Sequence, residues 1–394
     1  MSFDTQINTA LYFSSVNEIP SKIWQQLNCS DNYYFNPKYL DALEKNNLQI
    51  QFGYIVLTDK DNQAIAFAVV QIVDFYLNSV KNNLQSIIES IKCIGRKSRM
   101  LSSEKPFKIL TCGNVFVSGM HGAFIKKNQD EKKLLREIAK AMLDFVNTNT
   151  VLQKEIDGYM FKDFCNEFIS ITDELLNYSY SSFNVDPNMI LHLDKQWKTF
   201  DDYLAAMKTK FRVKAKKALK SSADLYVEDV TLDNIDQLLP KMTALYKKVS
   251  AKASFNLGDF NLNTYRTLKQ NLGDDYILKT YSINTKLVGF LSGMINQQCL
   301  DAHYVGIDYA ENKQYAIYQR MLYDYIKIAL SHKLPTLNFG RTASEIKSSV
   351  GAVPQDLTIY LRHKKSIPNR ILRLFLKRIA PTPFNQKFPF KATI

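Results

Sequence analysis

Cysteine is scarce: the 394 residues hold five, Cys29, Cys93, Cys112, Cys165 and Cys299. The number is odd, no two form a CxxC pair, and none neighbours a histidine at ligand spacing. These facts argue against a disulfide framework and a zinc site, and toward a reducing cytoplasm. Glycine-rich phosphate motifs are missing too. Neither GxGxxG nor GxxxxGKS occurs, so dinucleotide-binding and P-loop readings have no support. The longest strongly apolar stretch, 64–73, falls well short of the roughly 20 residues that span a bilayer. The opening MSFDTQINTA has neither a basic nor an apolar segment, so no signal peptide is expected there. A chain 46% apolar and 23% charged is neither disordered nor collagen-like. Its length exceeds the roughly 250 residues at which single cores stop growing, which implies two or three domains.

Acid is missing locally. The chain has 51 Lys and Arg against 38 Asp and Glu, a formal net charge of +13. Residues 208–220, KTKFRVKAKKALK, contain seven basic residues and no acid, and residues 361–394 contain nine and again none. The remainder has 35 basic and 38 acidic residues, so a near-neutral body carries two basic blocks. Such blocks attract phosphate, whether in nucleic acid, anionic lipid or a phosphorylated ligand, or else serve as solvated helix faces.

Periodicity predicts short helices at 20–27 and 37–46, and a hairpin of two β-rich runs around Asp59-Lys60-Asp61-Asn62. A basic excursion at 81–105 and a strand at 107–117 follow. A helix over 131–147 has Leu134, Leu135, Ile138, Ala141, Met142 and Phe145 on one stripe. In the second half, Thr199 with Asp202 forms a capping box opening a helix that runs to about 220. A strand at 226–230, helices at 232–251 and 262–272, and strands at 276–283, 287–295 and 300–307 come next. A long helix at 315–331 and strands at 336–339 and 355–362 close the pattern. Each half thus reads as helices, a hairpin, a further strand and a long helix, a mixed α/β order.

This order resembles the fold of the GNAT acyltransferases used twice, as in Fem-type peptidoglycan aminoacyltransferases and related bacterial N-acyltransferases. Three stretches carry the resemblance: FRVKAKKALK at 211–220, HYVGIDYAENKQYAIYQRMLYDYIKIALSHK at 303–333, and LNFGRTASEIKSSVGAVPQDLTIYL at 337–361. The last matches the family's closing pattern in Gly340, Thr342, Lys347, Gly351 and Ala352. The resemblance implies two tandem GNAT-like α/β (α+β) domains, each a mixed central sheet flanked by helices, at 1–184 and 185–365. A basic tail at 366–394 follows. It further implies acyl transfer to an amine, with no tightly bound cofactor and with acyl-CoA or another acyl thioester as co-substrate. The Fem branch would instead use aminoacyl-tRNA and a peptidoglycan precursor. In GNAT proteins the start of the crossover helix holds the donor's pyrophosphate, as a helix N-terminus suits anions. Here that stretch is Glu311-Asn312-Lys313-Gln314-Tyr315, without the glycine-rich loop of coenzyme-A-binding members. Lys313 and Gln314 are its candidate phosphate contacts.

Amine acylation needs a group to take the ammonium proton and a group to stabilise the oxyanion. His303, mid-strand, is a candidate base, with Asp301 two residues away on the expected same face. FGRTASEIK clusters the other candidates. Gly340 permits a sharp strand exit, and Arg341 suits a phosphate. Thr342, with Gly340 and Arg341 a candidate donor contact, would cap the next helix through its hydroxyl, which puts Glu345, a further catalytic candidate, in its first turns. Lys347 would stabilise an oxyanion or bind phosphate. The plain alternative is a capping box beside an exposed Arg and Lys. No metal site is expected. Residues 367–379 read as an amphipathic basic helix, suited to an anionic membrane surface or to docking on the body. Arg378 falls within its apolar arc. The expected partners are an acyl donor, an amine-bearing amphiphilic acceptor and an anionic membrane surface, met by the tail and by 208–220, with no specific DNA binding. The expected location is cytoplasmic, peripheral on the inner membrane face. A catalytically dead scaffold binding membrane or nucleic acid is the non-enzyme alternative.

Overall fold

In the computed structural model of the chain, which describes residues 7–75, 107–252 and 257–391, elements begin where side chains meet open backbone N–H groups. The expected basic excursion at 81–105, with Cys93, lies outside the described residues. Asn36 accepts from the Lys38 amide behind Pro37, and Asp130 accepts from the Lys133 amide; each opens a helix as a side-chain N-cap. The predicted hairpin turn forms because Asp59 Oδ1 accepts from the amides of Asp61 and Gln63, both at 2.9 Å, while Asn62 takes φ +57°.

The chain divides into unit 1, Met1–Asp186, Ser254–Phe260 and Asp356–Pro381, and unit 2, Pro187–Ala253, Asn261–Gln355 and Thr382–Ile394. In chain order, unit 1 supplies β1 (Ile7–Phe13), α1 (Ser21–Leu27), α2 (Pro37–Asn46), β2 (Gln51–Asp59), β3 (Ala64–Phe75), β4 (Phe107–Cys112) and β5 (Ala123–Ile125). It continues with α3 (Glu131–Asn147), α4 (Thr150–Glu155), β6 (Gly158–Cys165), α5 (Ile169–Thr172) and the start of β7 (Ser181–His192). Unit 2 then holds α6 (Phe200–Ala206), α7 (Thr209–Ser221), β8 (Tyr226–Asp229), α8 (Ile235–Ser250), α9 (Thr264–Leu272), β9 (Tyr276–Ile283), β10 (Lys286–Asn296) and β11 (Cys299–Ile307). It closes with α10 (Tyr309–Tyr315), α11 (Ile317–Ser331), β12 (Thr336–Asn338) and α12 (Ser344–Ser348). β13 (Val353–His363) and α13 (Ser366–Leu376) return the chain to unit 1 from Asp356.

Each unit has the same pattern of strand pairing, although the sixth strand comes last in the chain in unit 1 and first in unit 2. In unit 1 the order is β1-β2-β3-β4-β6-β13, with β1 to β4 antiparallel, β4 and β6 parallel, and β13 antiparallel to β6. In unit 2 the order is β8-β9-β10-β11-β12-β7, again with one parallel pair, β11 and β12. The crossovers are α3 in one unit and α10–α11 in the other. The mixed strand order flanked by helices in each unit is the one the sequence predicts. The unit limits differ from a single cut near residue 184, because the strand from Asp356 and α13 belong to unit 1 and Thr382–Ile394 belongs to unit 2.

Unit 1 buries the predicted stripe of α3, with Leu134, Leu135, Ile138, Ala141 and Met142 in its core. In unit 2, α11 is seated on the sheet by Met321, Leu322, Tyr325, Ile326 and Ala329. Buried Asp324 accepts from the Tyr281 hydroxyl at 2.9 Å and from Arg320 Nε at 2.8 Å. The bond from Tyr281 on β9 ties α11 to the sheet, while Arg320 and Lys327 on the same helix neutralise the carboxylate.

One predicted helix is split and another starts late. The helix expected from Thr199 to about 220 opens with the predicted box but breaks at Met207, which is extended and fully buried. The Lys208 amide donates to Pro389 O at 2.8 Å, the Lys391 amide donates to Ala206 O at 3.0 Å, and Met207 bridges to Phe390. Backbone bonds that would continue the helix are instead made to a C-terminal strap, whose Phe390 ring lies 4.9 Å from Trp197 and 5.7 Å from Tyr203. The helix expected at 315–331 forms as α11 but starts at Ile317, after Ala316 at φ +46°, with the short α10 before it.

Gly351, at φ +103°, approaches the strap so closely that an added Cβ would stand 2.3 Å from the Phe390 ring. Gly351→Ala is expected to lose about 2–3 kcal/mol in urea denaturation through clash and backbone strain. Adding Phe390→Ala should not restore wild-type stability, because the φ penalty remains. An unchanged unfolding midpoint for Gly351→Ala would contradict the strap.

Candidate active site

The site in unit 2 begins where two strands part. β11 and β12 pair for three residues, ending at Asp301↔Asn338, while β11 runs on to Ile307. Across its other edge the register shifts between Leu291↔Val305 and Gly293↔Ala302, so His303 and Tyr304 together oppose Ser292. This is a β-bulge, which re-aims side chains and ends regular pairing. Buried hydroxyls hold it: Ser292 Oγ donates to Tyr304 O at 2.8 Å and lies 3.0 Å from the Tyr265 hydroxyl, and Tyr325 Oη donates to Ser292 O at 2.6 Å. The bulge interrupts the alternation that would align Asp301 with His303.

His303 lies 6.1 Å from the Tyr276 ring. Burial pushes its pKa down to about 4, so the imidazole is neutral at neutral pH. Asp301 Oδ1 accepts from Asn338 Nδ2 at 3.0 Å, and Asn338 Oδ1 accepts from the Gly340 amide at 2.9 Å. Asn338 therefore ties the end of β11 to the start of the FGRTASEIK turn. Sequence reading passed over it, although an Asn two residues before a Gly is the pattern of an Asx turn.

The turn itself is unusual. Gly340, Thr342 and Ala343 all have positive φ, at 68°, 67° and 50°. Left-handed conformations at non-glycine residues cost free energy that surrounding contacts must offset. The principal contact is Lys347, 4% exposed. Its Nζ donates to Gly340 O at 3.1 Å and to Arg341 O at 2.5 Å. Burial pulls its pKa from the ordinary 10.5 down to about 7. The neutral amine has two N–H bonds, which these two carbonyls use, and a lone pair that remains.

The other predicted residues take separate places. The capping box of Thr342 and Glu345 does not form: α12 begins at Ser344 with Ala343 as its cap and no side-chain cap bond. Left-handed backbone at Thr342 and Ala343 replaces the extended N-cap conformation that a capping box requires. Glu345 pairs instead with Lys387 at 2.9 Å, and the Lys387 amide donates to Ser348 Oγ at 3.1 Å, so the strap also holds α12. Arg341 is half-buried, while Thr342 is exposed. Lys313 and Gln314 are exposed on α10. At the start of α11 the Tyr318 amide donates to Asn312 Oδ1 at 2.9 Å, which satisfies one of the N–H groups a phosphate would use. Just upstream, Lys286 pairs with Asp308 and Glu311.

Unit 1 treats its own strand ends differently. β4 and β6 stop pairing at Cys112↔Phe161, and a register shift against β13 leaves Lys162 and Asp163 in a bulge. The buried Lys162 and Asp163 pair with each other. Lys162 Nζ also donates to Val117 O at 2.9 Å, and Asp163 accepts from the Gly119 amide at 3.2 Å. These bonds fasten the segment 113–119 over the strand ends. The sequence offered no pattern for this pair, because the two residues meet that segment only through the fold.

Lys347 makes stability depend on pH. Between pH 7 and 10.5 the unfolded chain keeps a proton that the folded chain has released, so wild-type stability rises with pH through this range. Relative to Lys347→Met, the wild type should gain about 2 kcal/mol from pH 7 to pH 9, read from urea midpoints of both proteins. The lost carbonyl bonds offset the two curves without changing their relative slope. Parallel curves would refute a buried, neutralised Lys347.

No family model and no curated protein matches the chain. Among solved structures it is similar to a tandem GNAT protein from the clavulanic acid biosynthesis pathway, determined without AcCoA. The TM-score is 0.54 at 8% identity, covering 91% of this chain and 99% of that one. It is also similar to FemX, with a TM-score of 0.50 at 11% identity, covering 89% of this chain and 97% of that one. Both likenesses are of fold, and they match the duplicated order of meander, crossover helix and parallel strand seen in each unit. The chain therefore has a tandem GNAT fold.

Proposed function

We propose that the chain is a GNAT-type N-acyltransferase that joins an acyl group from an activated donor to a primary amine, with the reaction centred on unit 2. The observation that carries this reading is Lys347, buried at the parting of β11 and β12 with its pKa pulled to about 7. A general base works best with a pKa near the operating pH. Neutral Lys347 takes the proton of the incoming ammonium. The freed amine attacks the donor carbonyl, the added nitrogen sheds its second proton to solvent, the tetrahedral intermediate expels the leaving group, and protonated Lys347 returns the first proton to it. With a thioester, an amide and a free thiol result. Neutral His303 on the bulge would donate a hydrogen bond to the developing oxyanion. Gly340 and Arg341 would position Lys347 through their carbonyls.

An acyl thioester such as acyl-CoA is the proposed donor, and an amphiphilic amine the proposed acceptor. A second reading, aminoacyl transfer from aminoacyl-tRNA as in Fem-type proteins, draws support from the start of α11. Its Tyr318 amide is already bonded to Asn312, and no glycine-rich turn precedes it.

Incubation with labelled acyl-CoA and a panel of primary-amine lipids and detergents should yield labelled amide. Lys347→Met is expected to lower kcat/KM by about 10²–10⁴-fold. The wild-type acidic limb should have an apparent pKa near 7 and be absent from the variant's residual rate. Amide formed only from charged tRNA would transfer the reading to the Fem-like donor. No product from either donor, or a fully active Lys347→Met, would leave a non-catalytic scaffold.

A further inference from the structure

In unit 1, α13 divides its apolar residues between two faces. Phe375 and Leu376 are buried, and Ile371 and Leu372 are half-buried. The helix is also pinned by Asn369, which donates from Nδ2 to Ser179 O and accepts at Oδ1 from the His363 amide, both at 2.8 Å. The opposite face leaves Ile367 69% and Leu374 65% exposed. At about 100° per residue, Ile367, Leu374, Arg370 and Arg373 share an arc of about 120°. Lys377 and Arg378 are exposed just past the helix end. Among the described residues none of these four basic side chains forms an ion pair, and residues 361–394 contain no acid.

We propose that this face of α13 docks unit 1 onto an anionic bilayer surface. Two exposed aliphatic side chains two turns apart, ringed by unpaired arginines and lysines, match the pattern of an interfacial helix. Apolar tips enter the acyl boundary while the cations meet lipid phosphates. An RNA backbone would engage the same cations but has no use for exposed Ile367 and Leu374. At 11 residues and about 1.5 Å per residue, α13 is too short to cross a membrane. No helix among the described residues is long and apolar enough to do so. The helix therefore lies flat, held to the body by Phe375 and Leu376. This docking does not rest on the acyl-transfer reading.

The test is co-sedimentation of the full chain with phosphatidylcholine vesicles, with and without one quarter phosphatidylglycerol. The wild type should partition onto the anionic vesicles and scarcely onto the neutral ones. Ile367→Ser with Leu374→Ser, and separately Arg370→Glu with Arg373→Glu, should each lower that partitioning by about tenfold. All four positions are exposed, so circular dichroism and melting should match the wild type. If charge reversal disturbs folding, Arg370→Gln with Arg373→Gln replaces it. The proposal is overturned by equal binding to both vesicles or by wild-type binding in both variants. It is equally overturned if the Ser variant keeps full vesicle binding while charge reversal abolishes vesicle and RNA binding alike, which would assign the face to polyanions.

Discussion

Everything in the candidate site follows from a parallel pair of strands that holds for three residues and then parts. β11 and β12 cannot continue pairing beyond Asp301↔Asn338, because β11 bulges at His303–Tyr304 and the chain after β12 turns into a run of left-handed residues. Parallel pairing is the weaker form of sheet bonding, so the cost of ending it is modest. What it leaves is a strand edge, a half-buried imidazole on β11 and a buried amine bonded to the chain after β12, with Asn338 tied to both segments.

Lys347 keeps the turn together from within. Three left-handed residues within four positions would not persist on local preference alone. One amine engages two carbonyls, that of Arg341 and that of Gly340, which also accepts from the Met189 amide at 3.1 Å, and that amine loses proton affinity as a result of burial. The strap of unit 2 then holds the outside of the same segment, through Glu345, Ser348 and Phe390. Geometry and pKa are thus set by one arrangement, the condition for a general base that must be both placed and tuned.

The two units share a pattern of strand pairing but differ at the equivalent strand ends. In unit 1 the bulge carries a lysine and an aspartate that pair with each other and hold down their own loop. A fully matched buried ion pair is structural in character, since each charge is neutralised by the other. In unit 2 the buried lysine has only backbone carbonyls as hydrogen-bond partners, and its pKa falls.

Much of the fold was legible because local signals and tertiary structure agree. Hydrophobic period, the Thr199 box, the Asp59 turn and the β-rich runs of the second half gave elements close to those observed, and their order carried the duplicated topology. The site was legible only as residue types: His303, Gly340 and Lys347 stood out, but Asn338 did not, and the Thr342 cap was misplaced. The sequence by itself determined the α/β class, the two-unit plan and the acid-free basic segments, since these depend on composition and on neighbours a few residues apart. Only the tertiary structure decided that Lys347 is buried and neutralised, that the strap breaks the basic helix at Met207, and that α13 shows its cations and two aliphatic tips to solvent. Burial and pairing across hundreds of residues set those properties, and local sequence does not encode them.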